Sequence, residues 1–140
     1  MKVLLDTSVL IAAMVESHPE HARAFPWLQR IKGGEVTGVV SAHTLAEVYA
    51  TITRLPVKPP ISPSTVFHLI QENLLNHFQI VALSEKDYIA LIEKLSKIGI
   101  FGGVTYDALI LHAAFKADVV KRLFQKQAVV ELEGVAVVEK

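Results

Sequence analysis

Short apolar runs alternate along the chain with longer segments whose apolar residues recur at helical spacing. The runs have the length of buried strands, and they are Lys2–Leu5, Val36–Val40, Gln79–Leu83 and Gly134–Val138. Helices are predicted between them, at Val9–Met14, Ser17 to about Ile31, Ala42–Leu55, Ser62 to about His77, Ser84–Gly99 and Tyr106–Lys116. This alternation predicts an α/β fold, with a mostly parallel sheet and helices on both of its faces.

Serine, threonine and glycine mark the ends of several predicted helices. Ser17 and Ser84 each stand three residues before an acidic residue, which is the spacing of a capping box. Ser41 and Thr105 are predicted N-caps, because their side-chain oxygens can accept from the first free backbone N–H groups. Gly99 is predicted to end the helix that Ser84 begins.

The composition favours one compact domain over residues 1–140. Apolar residues make up 51% of the chain and charged residues 20%, as in ordinary globular proteins. No window approaches the ~20 apolar residues that span a bilayer, and Asp6 interrupts the first apolar run before a signal-peptide core can form. We therefore expect a cytoplasmic protein with no membrane partner. The absence of cysteine leaves only oxygen and imidazole as metal ligands.

Asp6 is the first candidate for chemistry, because it lies at the seam between two segments that should be buried. Burying an unpaired carboxylate is costly, so a charge at such a place usually has a partner. In an open α/β sheet, ligands bind at the carboxyl ends of the parallel strands. Asp6 follows the first predicted strand and therefore lies at that edge.

Two more acids occupy comparable places. Glu47 lies in the helix that leaves the second strand, on the side away from the apolar stripe, where a solvated surface glutamate is the plain alternative. Asp107 stands in the first turn of a helix that is apolar almost all round and is therefore predicted to be buried. Its plain alternative is to complement the helix dipole, which contributes about 1 kcal/mol or less.

Three carboxylates that converge in one cleft would repel one another, and a divalent cation removes that conflict. Hard oxygen ligands favour Mg²⁺ or Mn²⁺, which take one or two carboxylates directly and keep several waters. Such an ion suits phosphodiester hydrolysis, since it polarises a phosphoryl oxygen and activates water. Thr7 and Ser8 are candidates to orient a carboxylate or a water, or simply to cap the first helix.

The segments LLDTSVLIAA, SAHTLAEVYATITRL and GGVTYDALILHAA together resemble the PIN-domain ribonucleases, in particular the VapC toxins of toxin–antitoxin pairs. The resemblance runs from Lys2 to about Ala114. It implies a three-layer α/β/α sandwich, Mg²⁺- or Mn²⁺-dependent cleavage of RNA, a homodimer and a small antitoxin partner. It also implies that Asp6, Glu47 and Asp107 are the catalytic and metal-binding acids, with Thr7 or Ser8 as the supporting hydroxyl.

The chain departs from the family's pattern after its third acid. The family usually carries a fourth acidic position in a Thr-x-Asn/Asp motif, and FKADVVKRLFQKQAVVELEG contains no such motif. The residues near that spacing are Asp118, Gln125, Glu131 and Glu133. A single ion can still bind to three acids, but a catalytically degenerate domain that only dimerises or binds a partner stays an alternative.

Charge and the remaining residues leave further alternatives open. The formal net charge is zero, so affinity for RNA would have to come from local basic residues such as Arg54. The six histidines form no metal-binding pair on a shared polar helix face. Phosphoryl transfer through an aspartyl nucleophile is a rival reaction, but the aspartate pair typical of such enzymes is missing around Asp6.

Overall fold

The computed structural model describes residues 1–117 and the backbone of residues 135–138. The strands in these ranges are β1 (Lys2–Leu5), β2 (Thr37–Ser41), β3 (Phe78–Val81) and β4 (Val135–Val138). The helices in the same ranges are α1 (Thr7–Met14), α2 (His21–Lys32), α3 (Ala42–Ile52), α4 (Pro63–Ile70), α5 (Glu85–Ile98) and α6 (Val104–Lys116). One turn of π-helix, Gln71–Leu75, continues α4.

The strands form a single sheet in the order β3-β2-β1-β4. β2 pairs in parallel with both β1 and β3, and Val3 stands opposite Gly38 in the first of these pairs. β4 runs antiparallel to β1 and places Ala136 opposite Leu4. The predicted α/β fold with a mostly parallel sheet is confirmed, including a final strand within Gly134–Val138.

Alternate strand residues point to opposite faces of the sheet and bury in separate clusters. Val3 and Leu5 pack with the helices from α1 to α4, whereas Leu4 packs with Ala113 and Ala114 of α6. α5 joins the second layer through Leu91 and Leu95, which cluster with Leu109 of α6. These contacts give the three layers of an α/β/α sandwich.

A glycine allows the layers to approach closely at the centre of the sheet. A Cβ at Gly38 of β2 would stand 2.6 Å from a side-chain carbon of Ile31 and 2.8 Å from Phe78. Neither neighbour lies at the end of a long flexible chain, so a larger residue would force α2 or β3 to shift.

Two of the predicted helix ends are confirmed in atomic detail. Ser84 forms a complete capping box with Asp87: the Ser84 hydroxyl accepts from Asp87 N–H, and the Asp87 carboxylate accepts from Ser84 N–H. Gly99 ends α5 in the left-handed conformation, with φ of +74°. Both residues supply what the backbone needs at the end of a helix.

Two other capping predictions are wrong. The predicted capping box at Ser17 does not form, because Glu20 N–H donates to the His18 imidazole and α2 begins only at His21. Thr105 does not cap α6, which already begins at Val104. At Ser17, the His18 imidazole takes the N–H group that the predicted cap required.

Two predicted helices also end early. The predicted Ala42–Leu55 helix stops at Ile52, where the Thr53 hydroxyl donates to the carbonyls of Tyr49 and Ala50 in the last turn. The segment predicted as helix to about His77 is α-helical only to Ile70 and then makes its π-turn.

The prediction that the last helix is buried almost all round is wrong. α6 buries Leu109, Ala113 and Ala114, but Tyr106 is 56% exposed and Leu111 is 48% exposed. Among the described elements, the sheet and α5 cover one side of α6 and leave the other open. The apolar composition of α6 therefore does not reflect burial within the described part of the chain.

Candidate active site

Asp6 leaves the carboxyl end of β1 and is the N-cap of α1. Its Oδ1 accepts from Val9 N–H at 3.1 Å and from the Ser8 hydroxyl at 2.9 Å. Aspartate suits this place because its oxygen satisfies one of the free N–H groups of the first turn. Within the described residues these hydrogen bonds use Oδ1, which leaves Oδ2 available to a ligand.

The surroundings of Asp6 disfavour its charged form. Burial raises the pKa of the Asp6 carboxyl, the hydrogen bonds from Val9 and Ser8 partly oppose this, and the negative charge of Asp107 raises the pKa further. Asp6 and Asp107 are therefore close enough to interact electrostatically. The fold brings together two acids that are about a hundred residues apart in sequence.

Asp107 lies in the first turn of α6 and is exposed. This position complements the helix dipole, as the plain alternative proposed. Exposure adds a second property, since an exposed carboxylate near Asp6 is open to a ligand from solution.

Glu47 lies in the middle of α3, with its side chain about one-third exposed. Its Oε1 is buried, and no hydrogen-bond partner for this oxygen is present among the described residues. His43 Nε2 lies 3.0 Å from Oε1, which is the distance of an ion pair without the alignment of a hydrogen bond. A fully solvated surface glutamate does not have this geometry.

His43 links Glu47 to the first turn of α6. Its ring stacks on Tyr106, with the ring centroids 5.9 Å apart and the planes 7° from parallel. Tyr106 is the residue next to Asp107. The sequence interpretation set all histidines aside, although the i,i+4 spacing of His43 and Glu47 indicates that the two side chains can meet on one helix face.

The predicted supporting residues have different surroundings. The Ser8 hydroxyl orients Asp6, whereas the Thr7 hydroxyl is buried and has no hydrogen-bond partner among the described residues. Arg54 does not belong to α3, which ends at Ile52, and lies exposed in the following turn.

The structure does not gather all the candidate acids around one point. Among residues 1–117 there is no group of three or more histidine, aspartate or glutamate side chains arranged to hold a metal ion. Asp6 and Asp107 interact through space by charge, and Glu47 is connected to α6 through His43 and Tyr106. The candidates for the fourth position, Asp118, Gln125, Glu131 and Glu133, lie outside the described residues.

The donors that do come together are of the kind a hard dication takes. They are carboxylate and hydroxyl oxygens, with no sulfur. Glu47 Oε1 and Thr7 Oγ1 are buried oxygens without hydrogen-bond partners in the described part of the chain, so each has an unused acceptor. Mg²⁺ and Mn²⁺ need only one or two direct carboxylates and water. The donor types present therefore suit either ion.

Comparison with known proteins assigns the family. A family model described as PIN domain matches residues 3–121. Ribonuclease VapC27 of Mycobacterium tuberculosis is 31% identical over 136 residues, covering 96% of this chain and 93% of that protein. Ribonuclease VapC40 of the same organism is 34% identical over 106 residues, covering 75% of this chain and 72% of that protein.

A solved structure agrees in fold. The crystal structure of VapBC2 from Rickettsia felis, bound to a DNA fragment from their promoter, matches with a TM-score of 0.55 over 89% of this chain and 92% of that chain. At 18% identity this likeness shows the fold alone. With the family model over most of its length and relatives above 30% identity, the chain belongs to the PIN-domain family.

Proposed function

We propose that this protein is a divalent-metal-dependent endoribonuclease and the toxin of a type II toxin–antitoxin pair. The observation that carries the proposal is that Asp6, a partly buried carboxylate at the carboxyl end of β1, lies within electrostatic range of Asp107 in the first turn of α6. The relatives named ribonucleases support RNA as the substrate class. No observation on the described residues favours the degenerate alternative.

The chemistry is hydrolysis of a phosphodiester bond. Asp6, Glu47 and Asp107 would hold Mg²⁺ or Mn²⁺, which when bound polarises a phosphoryl oxygen and lowers the pKa of water. Ser8 and the Val9 N–H fix the direction of the Asp6 carboxylate through Oδ1. Thr7 supplies a further buried oxygen beside Asp6, and the exposed Arg54 is a candidate contact for an RNA phosphate.

Two partners belong to the proposal. The resemblance to VapC toxins supports a small antitoxin protein and a homodimer. Among residues 1–117, no helix is long and apolar enough to cross a bilayer. A cytoplasmic location and a single domain over residues 1–140 stay predictions.

The proposed homodimer has a candidate surface on and just after α5. This α5 surface is centred on Ile89 and Ile92, which are three residues apart and therefore neighbours on one helix face, and each of which is more than half exposed. Exposed apolar side chains grouped on one helix are typical of a protein contact. A second copy of the chain is the occupant we propose, because symmetric pairing of one patch is the commonest oligomer geometry.

Cleavage of a panel of structured and single-stranded RNAs tests the activity. We expect cleavage by the wild type with Mg²⁺ or Mn²⁺ and none with EDTA. Asp107→Asn should lower the rate more than about 100-fold, since even the outer partners of a metal ligand contribute 10- to 100-fold. Glu93→Gln is the matched control, because this exposed acid pairs with Lys97 elsewhere on α5.

Two outcomes would contradict the proposal. A wild type that cleaves no RNA of the panel, with either ion, would favour the degenerate alternative. Cleavage that survives EDTA or the Asp107→Asn substitution would show that the reaction does not use this site.

A further inference from the structure

We propose that His43 is a positioning residue of this site, which holds the Glu47 carboxylate toward α6 and Asp107. The inference rests on the proposed function, because it names what orients one of the three acids. It concerns a residue that the pattern of three acids does not include. Two contacts of His43 and one unsatisfied oxygen of Glu47 carry it.

The first observation is the contact with Glu47. His43 Nε2 lies 3.0 Å from Oε1, and both side chains are only about one-third exposed. A glutamate on a helix surface has three rotatable bonds and ordinarily samples several rotamers. The His43 imidazole lies directly beside this carboxylate, one helical turn away on α3. Its ring therefore limits where the carboxylate can point.

The second observation is that the imidazole is itself held in place. The near-parallel stack on Tyr106 fixes the plane of the His43 ring at a centroid distance of 5.9 Å. Tyr106 belongs to α6 and His43 to α3, so the contact joins the two helices. Because stacking restricts the motion of the His43 ring, the ring restricts the orientation of the Glu47 carboxylate more than a mobile side chain would.

The third observation is the unused oxygen. Glu47 Oε1 is buried and has no hydrogen-bond partner among the described residues, although His43 is so close. The nitrogen therefore orients this oxygen without saturating it. An acceptor held in one direction and left unsatisfied is suited to a cation.

Outer partners of metal ligands change metal affinity by 10- to 100-fold when they are removed. We therefore expect His43 to act mainly on the affinity for the cation. It should not change the RNA contacts or the fold of the domain. A loss of cation affinity without a loss of stability therefore distinguishes a positioning residue from one that only supports the fold.

The test is a Mn²⁺ titration followed by electron paramagnetic resonance, without RNA, on the wild type and three variants. His43→Gln keeps a nitrogen donor at similar reach, His43→Phe keeps a ring that can stack on Tyr106, and His43→Ala keeps neither. We expect Gln to bind Mn²⁺ within about threefold of the wild type, and Phe and Ala to bind about tenfold more weakly or worse. Lys97→Ala, which breaks another i,i+4 pair, should bind like the wild type.

RNA cleavage gives a second readout. At saturating Mn²⁺ the kcat of His43→Ala should return toward the wild-type value, with KM for RNA unchanged. Thermal unfolding of each variant checks that the fold is retained, and a Tm near that of the wild type is expected.

Three results would overturn the positioning role. The first is wild-type Mn²⁺ affinity in His43→Ala, and the second is wild-type affinity in His43→Phe, which would reduce the role to ring packing. The third is a direct ¹⁴N coupling to bound Mn²⁺ that is absent in His43→Gln, which would make His43 a ligand. If the wild type and all three variants bind Mn²⁺ and cleave RNA equally well, only this inference is refuted. If the wild type neither binds Mn²⁺ nor cleaves RNA, the proposed function is refuted as well.

Discussion

At the scale of single residues, Asp6 is both a helix cap and a proposed metal ligand, and these two roles require different properties of its carboxyl group. As the N-cap of α1 it needs only an acceptor oxygen, whereas as a metal ligand it needs a negative charge. Burial raises the pKa of its carboxyl, so the folded protein disfavours that charge. At this position, the stability of the fold therefore favours the neutral carboxyl, whereas the proposed metal binding requires the charged one.

Substitution of Asp6 separates the two duties. Asp6→Asn keeps the cap and removes the charge, so at neutral pH it should be at least as stable as the wild type while losing Mn²⁺ binding. The sign follows from the raised pKa. The Asp6 carboxyl contributes to the free energy of unfolding at low pH, where it is protonated, and this contribution is lost as pH rises through its folded pKa. Asp6→Ala removes the cap as well and should cost about 1 kcal/mol.

Urea unfolding at pH 7 measures both variants against the wild type. An Asp6→Asn protein that is clearly less stable than the wild type would show that the charge contributes to folding. An Asp6→Ala protein as stable as Asp6→Asn would show that the cap contributes nothing.

The acids of the site could be proposed from the sequence, whereas their surroundings could not. Asp6 and Asp107 stand at the starts of apolar helices, and Glu47 lies in one of the three segments that resemble the PIN-domain ribonucleases. The roles of Asp6 as a cap and of His43 beside Glu47 were missed, because both depend on side-chain directions. Local spacing permits the His43–Glu47 contact, but only packing against Tyr106 brings it about.

At the scale of elements, Asp87 of α5 pairs with two residues of α6: the imidazole of His112 lies 3.6 Å from its Oδ1, and the closer pair is with Lys116. Lys116 Nζ donates to Asp87 Oδ2 at 2.7 Å and to the Ala82 carbonyl at 3.0 Å. The hydrogen bond from Lys116, helped by Ser84 N–H, holds the pKa of Asp87 well below its usual range. The junction of the two helices with the end of β3 therefore depends on a charged Asp87.

The pH dependence of stability tests this junction. Because the folded pKa of Asp87 lies below the unfolded value of about 3.9, its contribution is complete above that value and is lost as pH falls below it. Asp87→Asn should therefore have a lower Tm than the wild type at pH 7, and the difference should shrink below about pH 4. Asparagine keeps an oxygen for the capping box, so the change isolates the charge.

Tm measured between pH 2 and 7 checks this, with Lys116→Met as the matched background. In that background the effect of Asp87→Asn should largely disappear. A Tm difference that is constant over the whole pH range, or equal in both backgrounds, would contradict the assigned partner.

The bounds of an element could be predicted where residues close in sequence determine them. They could not be predicted where contacts with other parts of the chain determine them. The apolar runs gave the strands to within a residue or two, and Ser84 and Gly99 marked both ends of α5. The start of α2 was missed because His18 takes the Glu20 N–H. The exposure of α6 was missed because apolar composition does not say which element covers a helix.

At the scale of the whole molecule, the proposed homodimer would cover exposed apolar side chains of α5. Ile92 of the α5 surface is 55% exposed. A charge there should oppose the proposed pairing without affecting the core, because burying an unpaired carboxylate at an interface is unfavourable. Ile92→Glu is therefore expected to be a monomer of unchanged Tm.

Light scattering after size exclusion measures the effect. The wild type should have the mass of a dimer, and Phe67→Glu, which places a charge on the exposed side of α4, should keep that mass. A monomeric wild type, or a dimer that survives Ile92→Glu, would contradict the proposed surface.

The fold class and the family were within reach of the sequence because three separated motifs and the order of strands agree. The region of the missing fourth acid was not, since its predicted candidates lie outside the described residues. Zero net charge also leaves the RNA contacts to local groups, which composition cannot identify.

The most direct test of the central claim is an anomalous difference map from crystals grown with Mn²⁺. We predict one peak at the carboxyl end of β1, with carboxylate oxygens of Asp6 and Asp107 within direct bonding distance and Glu47 bound directly or through water. A peak at another place, or no peak beside Asp6 at Mn²⁺ concentrations that support cleavage, would contradict it.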